Sequence, residues 1–260
     1  MRLNIALRNL VISQIIILLF LVFAYFVWFP HSFLELGGFT RTAFMLIFAD
    51  LILGPLLVFI VFKEGKKYLK FDINVLLSIQ IIAFLFGAHS LYLKHPAYAV
   101  FKHDRFILTN VSHLYPQPGL QEQLTKTIFS KPQLVTTRLP ENMAERMNLM
   151  VNVDLFGAPD IEKRPKYYAP VVDDLSALLQ KSLRIENILA DKNTKNKLQA
   201  FIKQHGGKAS DYAYFPLSGN NKKQVIWVLD RNNAEPVGII DSNPWAIKPI
   251  QQKRIHTARL

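Results

Sequence analysis

The chain has 260 residues, half of them apolar, with no cysteine and a formal net charge of +12. The missing cysteine excludes a disulfide-stapled fold and any thiolate metal site. The uneven spread of apolar residues argues against a purely soluble protein. Residues 1–92 are about 66% apolar with seven Lys/Arg and four Asp/Glu, whereas residues 93–260 are about 42% apolar with 24 and 15.

Three apolar runs stand out, at 10–29, 43–62 and 73–93. Each has about 20 residues, roughly 30 Å as helix, the thickness of a hydrocarbon core. The first ends in Tyr25, Trp28, Phe29 and Pro30. That is an aromatic belt rather than a small-x-small cleavage site, so an uncleaved membrane helix is expected. Arg2 and Arg8 precede the first run, and Lys63, Lys66, Lys67 and Lys70 lie between the second and third. The loop at 30–42 carries Arg41, offset by Glu35. The positive-inside rule then places the N-terminus and the Lys loop in the cytoplasm, with residues 94–260 across the membrane. The reading is a three-helix transmembrane bundle over 1–93, followed by an extracytoplasmic domain.

Asp50 interrupts the second run. An intramembrane carboxylate is costly and faces a helix interface or a polar cavity. Candidate partners are Gln80 or His89 on the third helix and Ser13 or Gln14 on the first. Gly54-Pro55 predicts a kink and close packing. Gln80 and Gly87, seven apart, share a helix face with Ala83 and Phe84, a pattern of helix packing in lipid.

In the second half, 99–108 reads as one strand and 110–120 as a loop. Residues 120–127 and 141–150 read as short helices separated by Pro132 and Pro140, and 151–156 as a short strand. A helix is expected over 171–183, with Leu175, Leu178, Leu179 and Leu183 as its stripe. Another is expected over 194–205, with Leu198, Phe201 and Ile202 apolar and Gly206-Gly207 ending it. Strands follow at 212–217, 225–229 and 237–241. The last two flank a turn at 231–233 and form an antiparallel hairpin. The tail from Pro244 is basic and peripheral. The order predicts a small α+β domain with an antiparallel sheet, large enough to bury a core without staples.

Signals for chemistry are weak. The seven histidines show no metal-ligand spacing, and no nucleophile elbow or phosphate loop is present. The second half carries an excess of nine basic residues, but they are scattered among acids. That pattern points away from nucleic acid and toward acidic surfaces or headgroups. No catalytic residue, metal ligand or cofactor is expected.

One combination is more specific: Asp50-Leu51-Ile52-Leu53-Gly54-Pro55-Leu56-Leu57, then Phe62-Lys63-Glu64-Gly65-Lys66-Lys67 and Leu69-Lys70-Phe71-Asp72. Gln80, Gly87, Tyr92, Pro96, Val100-Phe101 and Asp104-Arg105-Phe106 follow in order. Together these resemble the type IV pilin accessory proteins of Gram-negative bacteria (the TfpX/TfpZ family), most strongly over residues 40–108. The resemblance implies a non-enzymatic, multi-pass inner-membrane protein with a periplasmic domain. It would help a major pilin become stable, fold or enter the pilus. The implied partners are the lipid bilayer and that pilin, through its transmembrane helix and its head. Asp50, Gly54, Pro55, Gln80 and Gly87 are then candidates for docking the pilin helix. The competing class is a membrane enzyme of pilin modification, such as a glycosyl transferase.

Overall fold

A computed structural model describes residues 2–30, 33–61, 69–115, 124, 126–219 and 223–247. The chain opens with α1 (Arg2–Val27), a short α2 (Phe33–Leu36), α3 (Phe39–Val61) and α4 (Leu69–Lys94). α3 packs against both α1 and α4. Ile17, Leu21, Ala24, Ala43, Leu46 and Leu91 form the seam between them. Segments Leu10–Val27 and Asn74–Lys94 are long and apolar enough to cross a membrane. Their outward faces are apolar too: Leu19 is 66% exposed and Phe86 76%. A helix that is hydrophobic all round yet little buried by protein is suited to lipid.

α4 ends at Lys94, and β1 (Pro96–Lys102) starts at once. β1 turns through His103 and Asp104 into β2 (Arg105–Asn110), antiparallel to it. The single strand expected over 99–108 is therefore a hairpin. Its turn places His103 at φ 61, a left-handed conformation, within the polar run Lys102-His103-Asp104-Arg105 that separates the two apolar arms. β3 (Gln133–Thr137), not foreseen in the sequence, pairs parallel to β1.

Next come α5 (Met143–Phe156) and β4 (Tyr168–Pro170), the latter antiparallel to β3. Residues 151–156, expected as a strand, continue α5. The side chain of Asn142 accepts from the N–H groups of Ala144 and Glu145, and Gly157 closes the helix at φ 64. These caps hold the whole segment helical despite its β-branched Val151 and Val153. Residues 120–127, expected as a helix, lie mostly outside the described residues.

α6 (Leu175–Gln180) is shorter than the expected 171–183, because Val171–Asp174 form a 3-10 turn before it. α7 (Ile185–Ala190) leads into α8 (Lys192–His205). α8 has the expected stripe and stop: Leu198 and Phe201 are buried, and Gly206 follows at φ 83. Its start is fixed by Asp191, whose Oδ2 accepts from Thr194 N at 2.8 Å. β5 (Tyr212–Ser218), β6 (Gln224–Asp230) and β7 (Pro236–Ile240) close the domain, and β6–β7 is the expected antiparallel hairpin.

The seven strands form one sheet in the order β4-β3-β1-β2-β5-β6-β7. It is mixed, not antiparallel as expected, since β1–β3 and β2–β5 are parallel. Both parallel pairings join strands separated by long connections, which turn signals do not reveal. One face of the sheet packs Phe101, Phe106, Phe215 and Trp227 against Leu178 of α6. The other face packs Tyr214, Ile226 and Val228 against Ile188 of α7 and Leu198 and Phe201 of α8.

The first face is completed by the N-terminal helical half. Phe33 and Leu36 of α2, in the loop between α1 and α3, belong to the same core as Trp227. Lys223 at the start of β6 reaches Glu35 at 2.7 Å. α2 is therefore a structural foot on which the sheet stands. Its apolar pair, Phe33 and Leu36, is not singled out in the sequence, where the loop at 30–42 is read only for its charges Glu35 and Arg41.

Candidate functional site

α3 begins four residues before its apolar run, which places Asp50 midway between Phe39 and Val61. Two groups of α1 meet its carboxylate. Ser13 Oγ lies 2.6 Å from Asp50 Oδ2, and Gln14 Nε2 donates to the same oxygen at 2.8 Å. Ser13 and Gln14, two of the four partners weighed from sequence, thus bond the Asp50 carboxylate. His89 is exposed on α4.

Beside this cluster side chains of α1 and α4 face each other across a gap. They enclose a groove of about 200 Å³ lined by Ile12, Ser13 and Ile16 of α1, Asp50 of α3, and Gln80 and Ile81 of α4. The walls are apolar, and the polar atoms come from Ser13, Asp50 and Gln80. This is the usual composition of a binding groove: hydrophobic walls with a few convergent polar groups. Asp50 and Gln80 also line a smaller recess with Leu46, Ala49 and Phe84, where α3 meets α4.

Gly87 marks a different contact. A Cβ built there would lie 2.4 Å from Leu46 Cδ1, so the absent side chain lets α4 approach α3 closely. α3 runs through Gly54 and Pro55 as one helix, and their surroundings lie outside the described side chains. The same holds for the side chains of Arg2, Arg8 and Lys70, and Lys63, Lys66 and Lys67 fall outside the described residues altogether.

Above the groove the helices are joined by aromatic rings, a feature the sequence signalled only as an aromatic belt. Phe20 packs edge-on against Phe84 at 5.4 Å and against Trp28 at 5.7 Å. Trp28 stacks on His95 at 5.2 Å. His95 is buried at the junction of α4 and β1, and burial pulls its pKa down to about 4. Its neutral ring donates Nδ1–H to the Tyr92 carbonyl.

Comparison with known proteins gives this arrangement a context. The chain is 22% identical over 214 residues to a fimbrial assembly protein of serogroup I from Dichelobacter nodosus, covering 80% of this chain and 82% of the relative. The serogroup E1 fimbrial assembly protein of the same organism is 23% identical over the same coverage. A third, from serogroups C1 and C2, is 32% identical over 82 residues, or 31% of this chain and 63% of the relative.

The chain is a relative of fimbrial assembly proteins.

The resemblance to the type IV pilin accessory family, drawn from residues 40–108, is thus borne out by relatives that align over most of the chain. No family model matches, and no solved structure is significantly similar. In this relative of fimbrial assembly proteins, the described residues contain no group of three or more His, Asp or Glu side chains placed to hold a metal ion.

Proposed function

We propose that the chain is a non-catalytic inner-membrane accessory protein that binds a major type IV pilin and promotes its stability, folding or assembly. All three long helices cross the bilayer, and the sheet domain lies in the periplasm. The pilin's apolar helix docks in the groove between α1 and α4, and its head meets the outer domain.

The observation that carries this reading is the placement of Asp50 at the floor of that groove. At bilayer depth a carboxylate costs roughly 3 kcal/mol. Hydrogen bonds between membrane helices contribute roughly 0.6 kcal/mol each on average, so those from Ser13 and Gln14 offset under half of it. A polar group on a docking helix would offset more. The names of the relatives support the role in fimbrial biogenesis.

The test is Asp50→Ala, with pilin co-purification and surface piliation as readouts. Reduced pilin recovery at unchanged levels of the variant supports the reading, and unchanged recovery and piliation contradict it. Intact pilin mass in a strain lacking the protein separates the accessory role from an enzyme. A mass shift would favour a modifying activity, whereas a lower pilin level at constant mass favours the accessory role.

A further inference from the structure

A turn of the outer domain, residues 126–131, reaches down beside α1. Trp28 Nε1 donates to the Ile128 carbonyl at 2.6 Å, and the Phe129 ring packs edge-on against Phe23 at 5.8 Å. Phe23 lies inside the apolar window Leu10–Val27, four residues from its outer end. At 1.5 Å per residue, Phe129 therefore sits about 6 Å inside that window. Yet Ile128 is 52% exposed and Phe129, beyond its edge contact with Phe23, is 69% exposed.

The backbone of the turn is built for an apolar setting. Thr127 N donates to Ser130 Oγ at 2.9 Å, Ser130 N to the Thr127 carbonyl at 3.0 Å, and Phe129 N to Thr127 Oγ1 at 3.3 Å. Lys126 Nζ closes the turn on the Lys131 carbonyl. Polar groups satisfied internally are what a segment needs to enter lipid. Lys126 also lies over the Tyr98 ring at 5.0 Å, and burial pulls its pKa down to about 7, which lessens the cost of carrying it to this depth. Exposed Lys131, at the far end of the turn, has a stem long enough to reach a phosphate headgroup.

We propose that Ile128 and Phe129 form a hydrophobic finger inserted into the acyl-headgroup boundary of the outer leaflet beside α1, so that the sheet domain rests on lipid as well as on α2. The depth of about 6 Å matches that of interfacial apolar side chains, and the surface is continuous with the lipid-facing side of α1. The finger rests on the reading that α1 crosses the bilayer. It adds a lipid contact to that reading and needs no pilin.

The cysteine-free chain allows a direct test. Full-length protein carrying Phe129→Cys, or Ile128→Cys as a second reporter, is labelled with bimane and reconstituted in phosphatidylethanolamine–phosphatidylglycerol vesicles. Some vesicles contain a lipid with a nitroxide near the headgroup, and others a lipid with the nitroxide partway down the acyl chain, within reach of the deeper position 19. Leu19→Cys reports on α1 itself, and Asp104→Cys, at the far end of the β1–β2 hairpin, reports on the aqueous domain. The proposal predicts roughly twofold quenching at positions 128, 129 and 19, and none at 104. Quenching at 19 without quenching at 128 or 129 overturns the finger and leaves the crossing of α1 intact. No quenching at 19 overturns the crossing and the finger with it. Shielding of 128 and 129 from aqueous iodide only after pilin is added assigns the turn to a protein partner and overturns the lipid contact.

Discussion

The ring of Phe33, in the loop between α1 and α3, lies 5.5 Å from the ring of Trp227 in the middle of β6. Residues nearly two hundred positions apart thus share one core, and the N-terminal helical half supplies part of the sheet domain's interior. With α4 running directly into β1, this gives the domain a second fixed point on the helices.

Phe33→Ala removes a buried ring from that core. The expected loss is about 3–5 kcal/mol, read as a lower melting temperature of the purified protein in detergent. Glu35→Ala removes only an exposed ion pair with Lys223 and is expected to cost about 1 kcal/mol or less. Equal effects from the two variants would contradict the role assigned to α2.

Gly87→Leu forces a side chain into Leu46, and overpacking of this kind costs about 1–3 kcal/mol. Gly87→Ala meets only the end of the Leu46 side chain, which can rotate away, and is expected to be milder. Leu46→Ala in the Gly87→Leu background should recover part of the loss. A double variant no more stable than Gly87→Leu alone would show that the α3–α4 approach is not where the clash arises.

How much of this was readable in the sequence differs between elements. The long apolar helices, α8 and the β6–β7 hairpin were legible because each is specified locally: by unbroken apolar runs, by the Leu198–Phe201–Ile202 stripe, and by a turn at Asn232-Asn233. The mixed sheet was not, because β3 is five residues long and its partner β1 lies some thirty residues earlier. α5 misled in the opposite direction. Its Val151 and Val153 suggest a strand, while Asn142 and Gly157 cap a helix whose Met147, Leu155 and Phe156 stay exposed. For the candidate site, Asp50 and its possible partners were visible as rare polar residues in apolar runs. The groove was not, since it is lined jointly by α1, α3 and α4 and so is a tertiary property.

His95 makes the junction between α4 and the sheet domain sensitive to acid. Its folded pKa, about 4, lies below the ordinary value of 6.5, so the unfolded chain binds more protons between those limits. Stability from this group is complete above about pH 6.5 and falls as pH drops toward 4, by on the order of 3 kcal/mol in all. His95→Phe keeps a ring against Trp28 and removes the titration. Its melting temperature should fall less than that of the parent between pH 7 and pH 4.5. Parallel pH profiles for the two proteins would contradict this.

The central claim is that the groove between α1 and α4 receives a pilin helix, and blocking it tests that most directly. Ile16 and Ile81 line the groove and are 51% and 57% exposed, so Ile16→Trp and Ile81→Trp fill it without disturbing the seam with α3. The measurement is pilin recovered with the affinity-purified protein from membranes, at matched levels of each variant. The account predicts that both variants lose most of the co-purifying pilin, while Leu19→Trp, on the lipid-facing side of α1, retains it. Full pilin recovery by Ile16→Trp and Ile81→Trp would contradict it.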